Sequence, residues 1–276
     1  DNVLLYIAPT PLATGFTVIP DTTIIKIDPV TNTLIRSGVP SILNPFDGYA
    51  MEAAARIKDK NPDTKIVVVS MGPPQAETVI RDCLAIGANK GYLVTDRAFG
   101  GSDTLATSYI LSCAVKKIEE SEGKFDMIFC GKQAIDGDTA QVGCELAEHL
   151  GYPQVTYALE TEAEESRLKV IKETDEGTMV IGVQYPCLVT FTKPSFDPRM
   201  PNIRGKMAAK KAEIPHITVD EIPDIDRTSI GLKGSPTRVK KTFVPEQKKG
   251  GVIIKEETSR ESTLKLVSML SDANVI

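Results

Sequence analysis

No tryptophan occurs among the 276 residues, and aromatic side chains make up only 5% of them. Histidine appears twice, at His149 and His216, far apart and without ligand-type neighbours, so no metal site is expected. The cysteines Cys83, Cys113, Cys130, Cys144 and Cys187 form no C-x-x-C pair, and each sits in an apolar-periodic or strand-like stretch. Reduced, buried thiols are the expectation. No apolar run approaches the ~20 residues needed to cross a bilayer. The opening Asp1-Asn2-Val3-Leu4-Leu5 lacks the basic start of a signal peptide, so a cytoplasmic location without a membrane span is expected. The net charge is −5, and no aromatic residues interleave with the basic ones, which argues against nucleic acid as a partner. Walker A, G-x-G-x-x-G, G-x-S-x-G and Ser-His-Asp patterns are all missing. No catalytic side chain stands out, and any redox chemistry must come through a borrowed cofactor.

What is present is alternation. Residues 3–8 read as a strand, and Asn44 caps a helix that starts at Pro45 and runs to about residue 60. The β-branched run 66–69 suits a strand buried on both faces. It leads through Met71-Gly72-Pro73-Pro74 to a helix over 76–86 that Gly87 closes. A strand at 92–94, a helix over 103–120, a strand at 127–130 and a helix over 139–150 follow. Such strand–helix units predict an α/β fold, a mostly parallel sheet with helices on both faces. Beyond Pro153 the segments 155–159, 168–172, 179–184 and 188–192 read as strands. The polar loop 160–167 suits an antiparallel hairpin at the edge of the sheet.

The stretch Gly131-Lys132-Gln133-Ala134-Ile135-Asp136-Gly137-Asp138-Thr139-Ala140-Gln141-Val142-Gly143 joins a buried strand to a helix. A loop at the carboxyl end of a parallel strand lies where open α/β sheets bind ligands. The free N–H groups of a helix's first turn attract phosphate. Asp138 or Thr139 could cap that helix, leaving the N–H groups of Ala140, Gln141 and Val142 available; the plain alternative is a tight turn with acidic capping. Asn44-Pro45-Phe46-Asp47, Met71-Gly72-Pro73-Pro74 and the loop 96–104, with Gly101, Asp103 and Thr104, fall at the same end of the sheet. Together they make a dinucleotide-sized cleft plausible.

These loops, with Pro20-Asp21-Thr22, Lys26-Ile27-Asp28-Pro29, Asp103-Thr104-Leu105-Ala106-Thr107 and Gly234-Ser235-Pro236-Thr237, resemble the small (beta) subunit of electron-transfer flavoproteins. The resemblance covers residues 19–276. It implies a Rossmann-like domain in which loop 131–142 wraps an adenine nucleotide, lined also by Asn44 to Asp47 and Met71. Mitochondrial-type members hold AMP there and carry extra acidic residues where this chain has Gly137. The stretches Gly137 to Gly143 and Ala98 to Gly101 are similar to the bacterial branch that includes electron-bifurcating members. That branch implies FAD in the site, reduced by NADH. One electron then goes to ferredoxin or flavodoxin, and the other goes through the FAD of an obligate alpha-subunit partner to an acyl-CoA dehydrogenase-like enzyme. Residues 9–18 depart from the family, whose first strand runs directly into a Lys-Gln-Val-Pro-Asp motif.

From Pro194 onward prolines punctuate a basic segment with little core-forming sequence. The expected division is a nucleotide-binding α/β domain over 1–195, a recognition loop and return over 196–212, and an extended arm over 213–276. A terminal helix near 260–270 would pack on the partner subunit. The resemblance makes 198–208 the loop that grips a dehydrogenase, with Ile203 as apolar anchor beside Arg199 and Arg204. The alternatives are that the basic residues form a solvated face and that Ile203 packs into its own domain.

Overall fold

The computed structural model describes residues 2–7, 43–135, 137–237 and 251–276. Asp136, the atypical segment 9–18 and the motifs at 20–22 and 26–29 lie outside the described residues. Two compact units are present, Asp1–Thr242 and Phe243–Ile276.

In the first unit β1 (Asn2–Ile7), β2 (Lys65–Met71), β3 (Lys90–Val94) and β4 (Met127–Gly131) alternate with α1 (Pro45–Lys60), α2 (Glu77–Ile86), α3 (Thr104–Glu122) and α4 (Val142–Leu150). Then come β5 (Gln154–Ala163), β6 (Arg167–Thr174), β7 (Gly177–Gln184), β8 (Cys187–Phe191), α5 (Ile203–Lys211), β9 (His216–Ile217) and α6 (Gly231–Gly234). Among the described residues nine strands form one sheet, in the order β7-β6-β5-β8-β4-β1-β2-β3-β9, and only the pairs β5–β6 and β6–β7 are antiparallel. The chain moves outward from β1 to β2 and β3, then returns to place β4 on the other side of β1. That reversal opens a crevice at the carboxyl ends of β1 and β4, where ligands bind in such sheets.

Alternation along each strand sorts the core into two layers. Val3, Leu5, Ile66, Val68, Met127 and Phe129 meet Met51, Ala54 and Ile57 of α1 and Val79, Ile80 and Cys83 of α2. Leu4, Val67, Val69, Ile128 and Cys130 meet Ile110, Leu111, Val115 and Ile118 of α3 and Leu146 of α4. Helices thus cover both faces. Burial pushes the thiols of Cys83 and Cys130 well up and that of Cys187 to about 12. All five cysteines are free thiols.

The structure changes the expectation at two places. Residues 203–211, read as loop, are helical. The Asn202 side chain accepts from the Gly205 N–H at 2.7 Å, and the Lys- and Ala-rich run that follows favours helix. Residues 213–237, read as part of an arm, pack on the sheet. There β9 extends it beside β3, and Ile217, Val219, Ile222, Ile225 and Ile230 join the α3 layer. In the second unit α7 (Ser259–Asp272) begins with a capping box between Thr258 and Glu261 and buries none of its residues. Among the described residues no helix is long and apolar enough to cross a membrane.

At the amino ends of β2 and β3, the Glu122 carboxylate meets Lys65 Nζ at 2.5 Å and Lys90 Nζ at 2.6 Å and accepts from the Tyr92 hydroxyl. Burial raises its pKa, but the hydrogen bonds from Lys65, Lys90 and Tyr92 outweigh this and hold it at about 2. A depressed carboxylate contributes stability above its ordinary pKa and loses it as pH falls toward the folded value. Glu122→Gln is therefore expected to cost about 3 kcal/mol at most at neutral pH. In denaturant titrations its gap to wild type should close as pH falls from 4.5 toward about 2. A gap independent of pH rules this out.

Candidate functional site

Strand β4 ends where α1 begins, and the contact between them leaves no room for a side chain. A Cβ on Gly131 would lie 2.6 Å from Phe46 Cβ and 2.8 Å from the Asp47 nitrogen. Asn44 and Asp47 are buried there, each 1% exposed. Asp47 Oδ1 accepts from the Gly131 N–H at 2.7 Å, and Asp47 Oδ2 accepts from Asn44 Nδ2 at 2.9 Å. The same Asn44 amide donates to the Gln133 carbonyl at 2.8 Å, and Asn44 Oδ1 accepts from the Ile135 N–H at 3.4 Å. Pro45 costs nothing at the first helical position, where an N–H would lack an intrahelical partner anyway. The Asn-Pro-Phe-Asp turn therefore holds the first half of the 131–142 loop from beneath.

The second half of the loop is open. Asp138 and Ala140 adopt left-handed backbones, with φ of 54° and 53°. Helix α4 starts at Val142, two to three residues later than expected, and Gln141 occupies its N-cap without a side-chain cap. Neither Asp138 nor Thr139 caps it; Asp138 instead accepts from the Gln133 amide. Among the described residues the N–H groups of Thr139, Ala140 and Gln141 donate no hydrogen bond. Gly143 lets α4 sit close to the sheet, since a Cβ there would lie 2.9 Å from both Cys130 Sγ and Thr190 Cγ2.

These residues enclose a cavity of about 120 Å³. Gly131 to Ala134, Gly137 and Thr139 to Gly143 line one side, and Ser102, Asp103, Thr104, Thr107 and Thr237 line the other. Asp103 organises that second side. Its Oδ1 caps α3 by accepting from the Ala106 N–H at 3.1 Å, and its Oδ2 accepts from the Thr237 N–H at 2.9 Å. Its own N–H donates to Ser235 Oγ at 2.8 Å. Thr104 Oγ1 bridges to Gln141 and Glu145, at 3.3 and 3.2 Å. Burial, and then the nearby Asp103 charge, push the Glu145 carboxyl up.

Of the expected site residues, Asn44, Pro45, Phe46 and Asp47 support the loop rather than line the cavity. Gly101 turns into α3 with φ of 78°. Met71 packs against the α3 layer, and the Gly72 N–H bonds the Val94 carbonyl at 3.0 Å. Ile135 is exposed. Thr107, quoted only as part of the 103–107 motif, lines the cavity, and so does Cys130, a small residue inside a strand that carried no sequence signal. A larger hollow of about 380 Å³ lies between α1, β5 and Phe196. Its Lys60 and Glu162 pair with each other at 3.5 Å, and no residue of β1 or β4 lines it, so the smaller cavity is the candidate site. Among the described residues no His, Cys, Asp and Glu group could hold a metal ion.

On another face, Ile203 opens α5 with 80% of its surface exposed. Met207, one helical turn on, and Met200, in the segment before the helix, are exposed too. Arg204 is exposed, whereas the Arg199 guanidinium meets Glu52 at 2.8 Å and Asp59 at 2.6 Å. Arg199 therefore ties its segment to α1.

A model of the electron transfer flavoprotein domain matches residues 31–222. The chain is 50% identical over 248 residues to the electron transfer flavoprotein subunit beta of Megasphaera elsdenii, across 89% of this chain and 92% of that one. It is 46% identical over 258 residues to the caffeyl-CoA reductase-Etf complex subunit CarD of Acetobacterium woodii, across 94% and 97% of the two chains. It is 43% identical over 232 residues to the protein FixA of Azotobacter vinelandii, across 83% and 82%.

The buried clamp makes a stability prediction. Asn44→Ala leaves the Gln133 carbonyl and an oxygen of Asp47 without this donor, and is expected to cost about 2–3 kcal/mol. Equilibrium unfolding measures the loss, and proteolysis should cut the 131–142 loop faster. Wild-type stability in the variant would show that the clamp does not hold the loop.

Proposed function

Because the chain belongs to the electron transfer flavoprotein family as a beta subunit, and so works with an alpha subunit, we propose that its 131–142 loop holds FAD. The observation that carries this reading is the set of unpaired N–H groups at Thr139, Ala140 and Gln141, which line the cavity and suit a phosphate. Left-handed Ala140 is followed by Gln141 in the right-handed region, a pairing of conformations that suits an anion nest. Gly131 and Gly143 keep the floor close, and the Asn44–Asp47 clamp fixes it before any ligand arrives. FAD, when bound, supplies two-electron exchange with NADH and release of the electrons one at a time. The acceptors in this reading are ferredoxin or flavodoxin and, through the alpha-subunit FAD, an acyl-CoA dehydrogenase-like enzyme. Likeness to a subunit of a caffeyl-CoA reductase complex supports a partner that acts on CoA thioesters.

The small cavity favours a second reading, in which the loop holds AMP as a structural ligand and takes no part in redox chemistry. Flavin counted per heterodimer separates the two: two flavins support the first, and one flavin with one AMP supports the second. A heterodimer without flavin overturns both.

The dehydrogenase would dock on α5. Met200, Ile203 and Met207 offer an apolar ridge, and Arg204, Lys206, Lys210 and Lys211 surround it with charge that steers encounter. Arg199 contributes by anchoring the segment, since its charge is matched by Glu52 and Asp59. Ile203→Ala removes an exposed side chain, so flavin content and thermal stability are expected to stay at wild-type values. Affinity for the dehydrogenase is expected to fall by about 1–3 kcal/mol, with slower electron delivery. Unchanged dehydrogenase affinity removes Ile203 from the interface.

A further inference from the structure

Strand β5 contains a residue held in an unfavourable backbone conformation that its packing does not explain. Tyr157 has φ of 60°, where a bulky side chain is a genuine outlier, and its ring is 41% exposed. The register with β8 shifts between Val155 and Ala158, so Tyr157 sits in a bulge, a device that re-aims a side chain. Such strain gathers at ligand clamps. The Tyr157 ring turns toward Lys132, whose Nζ lies 5.7 Å from its centroid and 5.0 Å from that of Phe46.

Lys132 is the second anomaly. Among the described residues it is the single cation that lines the cavity. Among the described residues no carboxylate pairs with it, and two aromatic faces hold its ammonium instead. The end of β8 sets both partners in place. The Lys132 N–H donates to the Phe191 carbonyl at 2.8 Å, and the Tyr157 N–H donates to Thr190 Oγ1 at 3.3 Å. Adjacent residues of one strand thus hold the cation and the strained ring on either side of it.

We propose that Lys132 is the cation that meets the phosphate charge of the nucleotide in the 131–142 loop, and that Tyr157 is a positioning residue for it. This rests on the reading of that loop as a nucleotide site. A phosphate there would have Asp103 on the far wall, and the N–H groups of the loop carry only partial charge. Among the described residues that line the cavity, Lys132 is the one that supplies a whole positive charge. Lys132 itself lines the cavity, and the aromatic faces hold its ammonium without neutralising it, as a carboxylate would.

The test uses the full chain in complex with its alpha subunit and measures binding of AMP, FAD and adenosine at several salt concentrations. Lys132→Met is expected to weaken AMP and FAD by about 10- to 100-fold, the loss of one charge-assisted hydrogen bond. It should also flatten the salt dependence and leave adenosine unaffected. Lys132→Arg should restore AMP affinity to within about threefold, because the charge is kept. Tyr157→Gly relieves the left-handed strain, so it should unfold no earlier than wild type, yet bind AMP more weakly. Unchanged AMP affinity in Lys132→Met, or an equal loss for adenosine, overturns the proposal. Early unfolding of Tyr157→Gly with unchanged AMP affinity makes Tyr157 scaffold only and overturns its positioning role. Wild-type complex that binds neither AMP nor FAD overturns the nucleotide reading itself, and this proposal with it.

Discussion

The buried Asp47 carboxylate, placed between the Asn44 amide and the Gly131 N–H, is the contact on which the candidate site depends. It joins the start of α1 to the end of β4, at the point where the sheet reverses direction. A carboxylate this deep is tolerated only when its lone pairs are used, and the bonds to Asn44 and Gly131 use them. The absence of a side chain at Gly131 lets the α1 backbone come near enough for the contact to form. The same turn presents the Phe46 ring to Lys132. One clamp therefore sets the floor of the cavity and one wall of the lysine cage.

The loop above that floor is built in two halves with different physics. Residues 131–135 are fixed by hydrogen bonds to α1, while the N–H groups at 139–141 are left without partners. Thr139 and Gln141 are exposed, so a bound anion would replace water at these N–H groups with stronger, charge-assisted bonds. Because the floor is already rigid, little ordering entropy would remain to be lost on binding.

Charge is distributed with a similar division. Glu122 with Lys65 and Lys90, and Arg199 with Glu52 and Asp59, are satisfied within the chain and fasten elements together. Helix α5 rests on α2, where Gly205 passes so close to the Ala85 carbonyl that a Cβ would lie 2.3 Å from it. Arg81 of α2 donates to the carbonyls of Ala209 and Ala212 at the far end of α5, at 2.5 and 3.1 Å. The exposed Ile203 and Met207 are therefore carried on a firmly mounted helix. A surface that needs no reordering keeps more of its contact energy as affinity.

The sequence by itself determined what short-range chemistry can determine. The run 66–69 could only be a buried strand, Asn44-Pro45 could only open a helix, and the polar loop 160–167 marked a hairpin, observed between Ala163 and Arg167. Glycines at the strand ends pointed to the loops that line the cavity. Tertiary structure decided everything set by a distant partner. Strand β8 leaves the antiparallel meander and inserts parallel between β5 and β4, a pairing that no local pattern encodes. Ile217, Ile222, Ile225 and Ile230 looked like part of an arm because their core is supplied by α3, far earlier in the chain. Asp138, Ala140 and Tyr157 hold left-handed backbones without being glycine, so their residue types concealed it. Such conformations are uphill for the isolated chain and persist only because neighbouring elements hold them. Local propensity therefore revealed the elements, whereas long-range contacts created the unpaired N–H groups, the strained tyrosine and the lone lysine.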